Sequence, residues 1–120
     1  METNEFCVEN PFEINEPECE PFIRMCFPVE YVGFTEFYDE NKLPIYRNTL
    51  LIFKELITSE SESLVLHIEA MIGGSLFFDN MVISKKKKDM LIDAFIPYYE
   101  QEELYEECDE IIEIHKKLSN

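Results

Sequence analysis

Residues 59–84 read SESESLVLHIEAMIGGSLFFDNMVIS, and this stretch decides the fold. Two architectures compete for it. Ser59 followed by Glu62 has the spacing of a capping box, in which a serine hydroxyl and a glutamate three residues on satisfy each other's free N–H groups. Leu64, Ile68, Met71 and Ile72 then recur at helical spacing up to Gly73-Gly74, a common helix stop. In the rival reading, Leu64, Leu66, Ile68, Ala70 and Ile72 alternate along one face of a strand. The two glycines then make a turn, and Leu76 to Ile83 returns as the second strand of a hairpin. The serine-rich start favours the helix, and Asp79-Asn80 interrupts the proposed return strand. The expectation is therefore a mainly α fold, a compact helical domain. The alternative is an α+β fold with a hairpin at 64–83.

Upstream of this stretch, Tyr46, Leu50, Phe53 and Ile57 recur at helical spacing, widened by Ile45, Thr49, Ile52 and Leu56. Residues 44–58 thus read as the central core helix, with Arg47 and Lys54 on its other face. Pro44 fits its first turn, where a missing N–H costs little. Thr35 to Asn41 reads as a separate short helix capped by Thr35. Downstream, Ser84 caps a helix over 85–96 with Met90, Leu91, Ala94 and Phe95 inward. Lys85 to Lys88 sit awkwardly at its positive end. Pro97 interrupts the chain. A last helix is expected from Tyr98 to Leu118, burying Leu104, Cys108, Ile111, His115 and Leu118, with Tyr105 and Ile112 broadening that face.

The amino-terminal part differs in character. Pro11, Pro17, Pro21 and Pro28 punctuate residues 1–30, which hold eight Glu and only Arg24. Each proline removes a donor and disfavours helix before it. Phe6, Phe12, Ile14, Phe22 and Phe27 are more apolar groups than a free solvent tail needs. Residues 1–34 are expected to form an acidic arm packed on a helical domain of residues 35–120. A strand over Arg24 to Phe34 is the alternative for the end of the arm. Tyr31, Phe34, Phe37 and Tyr38 are expected mostly in the core, with an aromatic anchor at an interface as the other use.

Charge is the strongest functional signal. The 120 residues hold 26 acids against 10 bases, a net charge of -16. A small domain stays soluble with a magnitude of roughly 2–8. Such a field repels nucleic acid and anionic membranes and attracts basic surfaces. The acids concentrate at Glu13, Glu16, Glu18 and Glu20, and again at Glu102, Glu103, Glu106, Asp109, Glu110 and Glu113. On one continuous helix, carboxylates one turn apart rise about 6 Å. That spacing is comparable to successive phosphates along a nucleic-acid strand, so a basic cleft would meet something like a phosphate track. Like charges at that spacing oppose helix formation by about 0.2–0.5 kcal/mol per pair, a reason to suspect selection for a negative face. A plain solvated surface is the competing reading.

Chemistry is weakly signalled. His67 and His115 are the only histidines, and no paired-histidine or cysteine motif accompanies them. His115 falls on an apolar stripe. Neither GxxxxGK[ST] nor GxGxxG occurs, and Asp79-Asn80 lacks the further ligands of a calcium loop. No enzyme activity, metal or cofactor is expected. Cys7, Cys19, Cys26 and Cys108 lack a CxxC pair. Free thiols are the first expectation, with a disulfide in the amino-terminal segment or a zinc site as alternatives. The start of the chain has neither the basic residues nor the apolar run of a secretory signal, so cytoplasmic residence is expected.

In composition the chain resembles phage-encoded inhibitors that mimic DNA, including some anti-CRISPR and anti-restriction proteins. It also resembles immunity proteins that neutralise basic nuclease toxins. Either resemblance implies binding to a basic protein surface, of a nuclease or another nucleic-acid-handling protein, without direct nucleic-acid or membrane binding. A cognate toxin is the target in the second case. A second copy is a further candidate partner, its Lys85–Lys88 patch meeting the carboxyl-terminal acidic face.

Overall fold

The computed structural model describes residues 21–120. The chain runs β1 (Ile23–Tyr31), α1 (Phe34–Thr58), β2 (Ser63–Ile72), β3 (Ser75–Ser84), a 3-10 turn (Lys85–Lys87), a π turn (Leu91–Phe95), α2 (Ile96–Gln101) and α3 (Tyr105–Leu118). The sheet order is β1-β2-β3, with β1 parallel and β3 antiparallel to the central β2. The fold is therefore mixed α+β, which corrects the mainly helical expectation; the hairpin is the reading that holds.

Local chemistry explains that correction. Gly73 and Gly74 have φ of +61° and +84°, the left-handed pair that a two-residue hairpin turn demands. They join Ile72 to Ser75, which pair directly. Ser59 starts no helix; it stands just after α1, at its C-cap. Its Oγ accepts the Ser61 N–H at 2.9 Å, closing a turn in the loop after α1. Asp79 and Asn80 lie inside β3 rather than in a turn, opposite Ile68 and His67. Asn80 is accommodated by a hydrogen bond to His67, and β3 is the outer strand of the pair.

Parallel β1 and β2 need a crossover, and α1 supplies it as one helix of 25 residues rather than two. Pro44 lies inside it. The break expected there does not occur. Asn41 and Asn48 side chains donate to the carbonyls of Phe37 and Pro44 at 2.8 and 2.9 Å, adding bonds on both sides of the proline. Pro28 falls where the β1–β2 register shifts, between Phe27 and Glu30, on a strand at the sheet edge. Residues 23–31 are thus part of the sheet.

β2 alternates as a strand should. Leu66, Ile68, Ala70 and Ile72 join one core with Phe37, Ile45, Ile52, Phe53 and Leu56 of α1, and with Leu91, Phe95, Tyr99, Ile111 and Ile114. α1 packs on all three strands and on α3, while α2 packs on α3 and the π turn. Full burial of each large aliphatic contributes about 1.5–3 kcal/mol. Thr49, buried among them, donates its hydroxyl to the Ile45 carbonyl at 2.8 Å. Tyr46 stacks on Phe95 with centroids 4.5 Å apart.

The helix expected over 85–96 is replaced. Ser84 does cap, but it caps only the 3-10 turn, its Oγ accepting the Lys86 N–H at 3.1 Å. The π turn then leads into α2 with Pro97 in the first turn, where no donor is needed. Leu91 and Phe95 are buried as expected, whereas Met90 is exposed. Tyr31 and Phe37 belong to the core; Phe34 and Tyr38 are partly exposed at its margin.

Candidate protein-binding surface

The single helix expected over 98–118 is broken. α2 ends in a tight backbone hook: the Leu104 N–H donates to the Tyr99 carbonyl at 2.8 Å and the Glu103 N–H to the Glu100 carbonyl at 2.9 Å. This six-to-one and five-to-two pattern requires a left-handed residue between, and Glu103 takes it with φ +62°. The chain changes direction there, and α3 begins at Tyr105. The regular ladder of Glu102, Glu106, Asp109 and Glu113 therefore does not exist as one track. Glu102 and Glu103 lie in the α2–α3 link, and Glu106, Asp109, Glu110 and Glu113 lie on α3.

The burial of α3 is also turned from the expected stripe. Cys108, Ile111 and Ile114 are buried. Leu104, in the hook, and Leu118 are half-buried. Tyr105 and Ile112, expected inside, are 61% and 39% exposed. Two ion pairs fix this rotation. Arg47 of α1 donates to Glu107 from Nη2 at 2.8 Å and from Nε at 3.3 Å. Lys54, two turns along α1, donates to Glu110 at 2.8 Å. Both pairs are roughly half-exposed, so they orient α3 more than they stabilise it. The Glu107 hydrogen bond holds the Arg47 guanidinium above its ordinary pKa. His115 ties the far end of α3 to the loop before the π turn, with Nε2 3.1 Å from Asp89 Oδ1. That contact holds the Asp89 carboxyl below its usual range.

At about 100° per residue, the side of α3 opposite its buried stripe carries Glu106, Asp109 and Glu113. Tyr105 and Ile112, seven residues apart, stand at the margin of that same side. The exposed face is thus three carboxylates beside an aromatic and an aliphatic side chain, continued past the link by Glu102 and Glu103. Lys116 and Lys117 close it at the carboxyl end. Glu110 belongs to the α1 contact. Glu13, Glu16, Glu18 and Glu20 lie outside the described residues. Sequence periodicity missed Tyr105 and Ile112 as surface groups, because it runs one unbroken helix from Tyr98 through Leu104 to Leu118 where the chain has a hook.

Beneath this surface, Tyr99 is fully buried. Burial pushes its hydroxyl up to about 12, helped by Glu107 and opposed by Arg47. Cys108 is a free buried thiol raised above its ordinary pKa, first by burial and then by Glu100, Asp109 and Glu107. This is the opposite of an activated nucleophile. Cys26 is disulfide-bonded, so the free-thiol expectation fails for it.

A second polar group lies on the other face of the sheet. His67 of β2 stands in register between Arg24 of β1 and Asn80 of β3. His67 Nδ1 donates to Asn80 Oδ1 at 2.7 Å, and Glu69 Oε1 is 3.9 Å from Nε2. Among the described residues, no group of three or more His, Cys, Asp or Glu side chains is placed to hold a metal ion. No described helix is long and apolar enough to cross a membrane. No protein-family model, curated protein or solved structure matches the chain.

Proposed function

We propose that this chain is an acidic antagonist that docks the outer face of α3 on a basic surface of one partner protein, as an immunity protein docks on a cognate toxin. The observation that carries the reading is the exposure of Tyr105 and Ile112 beside Glu106, Asp109 and Glu113. Binding energy concentrates in a few desolvated aromatic or aliphatic anchors, while surrounding charges steer encounter and reject wrong partners. A merely solvated face would gain nothing from an exposed tyrosine and isoleucine among its carboxylates. The net charge of -16 sets the sign of the partner.

Mimicry of a nucleic-acid track is the weaker form of the same reading. It asks for carboxylates repeating along an unbroken element. The hook at Glu103 interrupts that element, and Glu107 and Glu110 are engaged by Arg47 and Lys54. Three α3 carboxylates and an apolar anchor suit one shaped site better than a long groove.

The experiment is affinity capture at low salt with the full chain, run beside E106K/D109K/E113K and Y105A variants shown to be folded. One basic partner should be retained by the parent and lost by both variants. Duplex DNA is then added as competitor. A partner released by DNA returns the mimic reading to first place; one that ignores DNA supports the toxin reading. A partner held equally by parent and variants would remove the α3 face from the function.

A further inference from the structure

We propose that the outer edge of β3 pairs with the same edge of a second copy of this chain, joining two three-stranded sheets into one. The sheet has two outer strands, and they are built differently. Pro28 interrupts β1, and the β1–β2 register shifts between Phe27 and Glu30. A proline and a bulge are common ways to blunt an edge. β3 has neither: from Ser75 to Ser84, ten successive residues pair with β2 without a shift. Its turn has two residues, Gly73 and Gly74, both with positive φ. Such a turn closes on a hydrogen-bonded pair, here Ile72 with Ser75. Bonding then alternates along the ladder, so Leu76, Phe78, Val82 and Ser84 direct their backbone N–H and C=O groups away from β2. Among the described residues no strand lies beyond them. Leu76 is 53% exposed and Val82 57%. On the helix side, Phe34 is half-exposed with its ring against Phe77. An exposed, unbroken, apolar edge is a template for another strand.

Two observations select a second copy as the occupant. The first is charge. The chain carries -16, so two copies repel over most of their surface. Residues 75–88 are the exception, with Asp79 as the one acid against four lysines, Lys85 to Lys88. In an antiparallel pair, the lysine end of each β3 lies beside the Gly73-Gly74 turn of the other. Glu30 stands at that turn: a Cβ placed on Gly74 would lie 4.0 Å from its Oε2. A basic run thus meets an acid at both ends of the pair. The second observation is register. Facing side chains lie on the same side of a sheet, so a two-fold pair of identical strands centres on one residue. Centring on Asp79 would set two carboxylates opposite each other, which is destabilising. Centring on Asn80 sets Phe78 opposite Val82, and Phe77 opposite Ile83, of the second copy. Aromatic and β-branched residues make favourable cross-strand pairs. A strand from another protein is the occupant to be told apart.

The test uses the full chain. Sedimentation equilibrium over a dilution series should show a monomer–dimer equilibrium for the parent. V82K changes an exposed side chain and sets a charge opposite Phe78 of the second copy. It should sediment as a monomer over the same range, with β2 amide shifts preserved. E106K/D109K/E113K should dimerise like the parent, which keeps this edge distinct from the α3 face. The register is read by mixing F78C chains with V82C chains under mild oxidation. A disulfide between positions 78 and 82 of different chains, mapped by mass spectrometry, is expected in the mixture and in neither variant alone. A parent that stays monomeric throughout overturns the proposal, even if the edge captures a strand from another protein. So does a dimer that V82K leaves intact, or one that the α3 variant dissolves. A mixture that dimerises without the 78–82 crosslink overturns the pairing centred on Asn80.

Discussion

The Tyr99 carbonyl receives the Leu104 N–H, so Leu104 folds back over the end of α2 with Glu103 left-handed between them. A residue with a Cβ in that conformation costs roughly 1–2 kcal/mol, and glycine avoids the cost. Glu103→Gly should therefore stabilise the domain by about 1 kcal/mol, less whatever glycine loses through its freer unfolded chain. A rise in the urea midpoint at unchanged slope would show it. A fall would mean the Glu103 side chain has a structural role that its exposure does not suggest.

The same hook explains what the sequence could and could not say. α1 was legible because propensity and burial agree: Ile45, Ile52, Phe53 and Leu56 repeat at helical spacing and all enter the core. The α3 boundary was not, because a glutamate occupies a position where glycine usually announces a stop. Losing that boundary misassigned Tyr105 and Ile112, and with them the anchor of the candidate surface. The carboxylates of α3 were legible as a negative face from sequence alone; their pairing with Arg47 and Lys54 required tertiary structure. In residues 59–84 the alternation of Leu66, Ile68, Ala70 and Ile72 was present. It was outweighed by serines that in fact serve a loop and by Asp79-Asn80, whose place opposite Ile68 and His67 only pairing reveals.

The hairpin turn offers a direct check of the corrected fold. Gly73 and Gly74 both need positive φ, and a Cβ added at either meets nothing closer than 3.4 Å. The cost of alanine is thus conformational rather than steric. Gly74→Ala should destabilise by about 1 kcal/mol. Gly73→Asn should cost less, since asparagine tolerates the left-handed region in such turns. Equal, negligible effects in thermal unfolding would argue against this turn.

Arg47 and Glu107 should couple weakly. Their bond is bidentate but close to half-exposed, so a double-mutant cycle with R47A and E107A should give about 0.2–1 kcal/mol. The coupling should shrink with added salt. A value that is zero at low salt would leave the rotation of α3 to packing alone.

Tyr99 predicts an alkaline loss of stability. Its pKa is pushed up to about 12 in the folded chain, mainly by burial, against about 10 in an unfolded chain. Between those values the unfolded state holds fewer protons than the folded one, so stability falls as pH rises through that window. Below about pH 10 both states are protonated and the contribution is constant. The hydroxyl is buried and makes no hydrogen bond of good geometry, although the Arg47 guanidinium lies near enough to oppose its shift, so Tyr99→Phe should fold about as well as the parent near neutral pH. It should also abolish part of the alkaline decline, and a near-ultraviolet titration should lose its latest tyrosine step.

The α3 face predicts a separation between binding and folding. Glu106, Asp109 and Glu113 are exposed, and reversing them to Lys should change unfolding free energy by no more than about 0.5 kcal/mol. Relief of repulsion between acids one turn apart acts in the favourable direction. Binding should suffer through slower association, and the salt dependence of the rate should flatten, because rim charges act mainly on encounter. Tyr105→Ala removes an anchor instead. It should leave association nearly unchanged and speed dissociation, costing more than about 1 kcal/mol if the ring is a hot spot. Ile111→Ala, on the buried side of the same helix, should do the reverse: destabilise by about 2–5 kcal/mol while the remaining folded fraction binds like the parent. Rates at two ionic strengths and unfolding midpoints for the three variants decide the matter. If charge reversal alters neither association nor its salt dependence, the carboxylates are solvated surface. If Tyr105→Ala costs stability rather than residence time, the ring supports α3 and the proposed anchor fails.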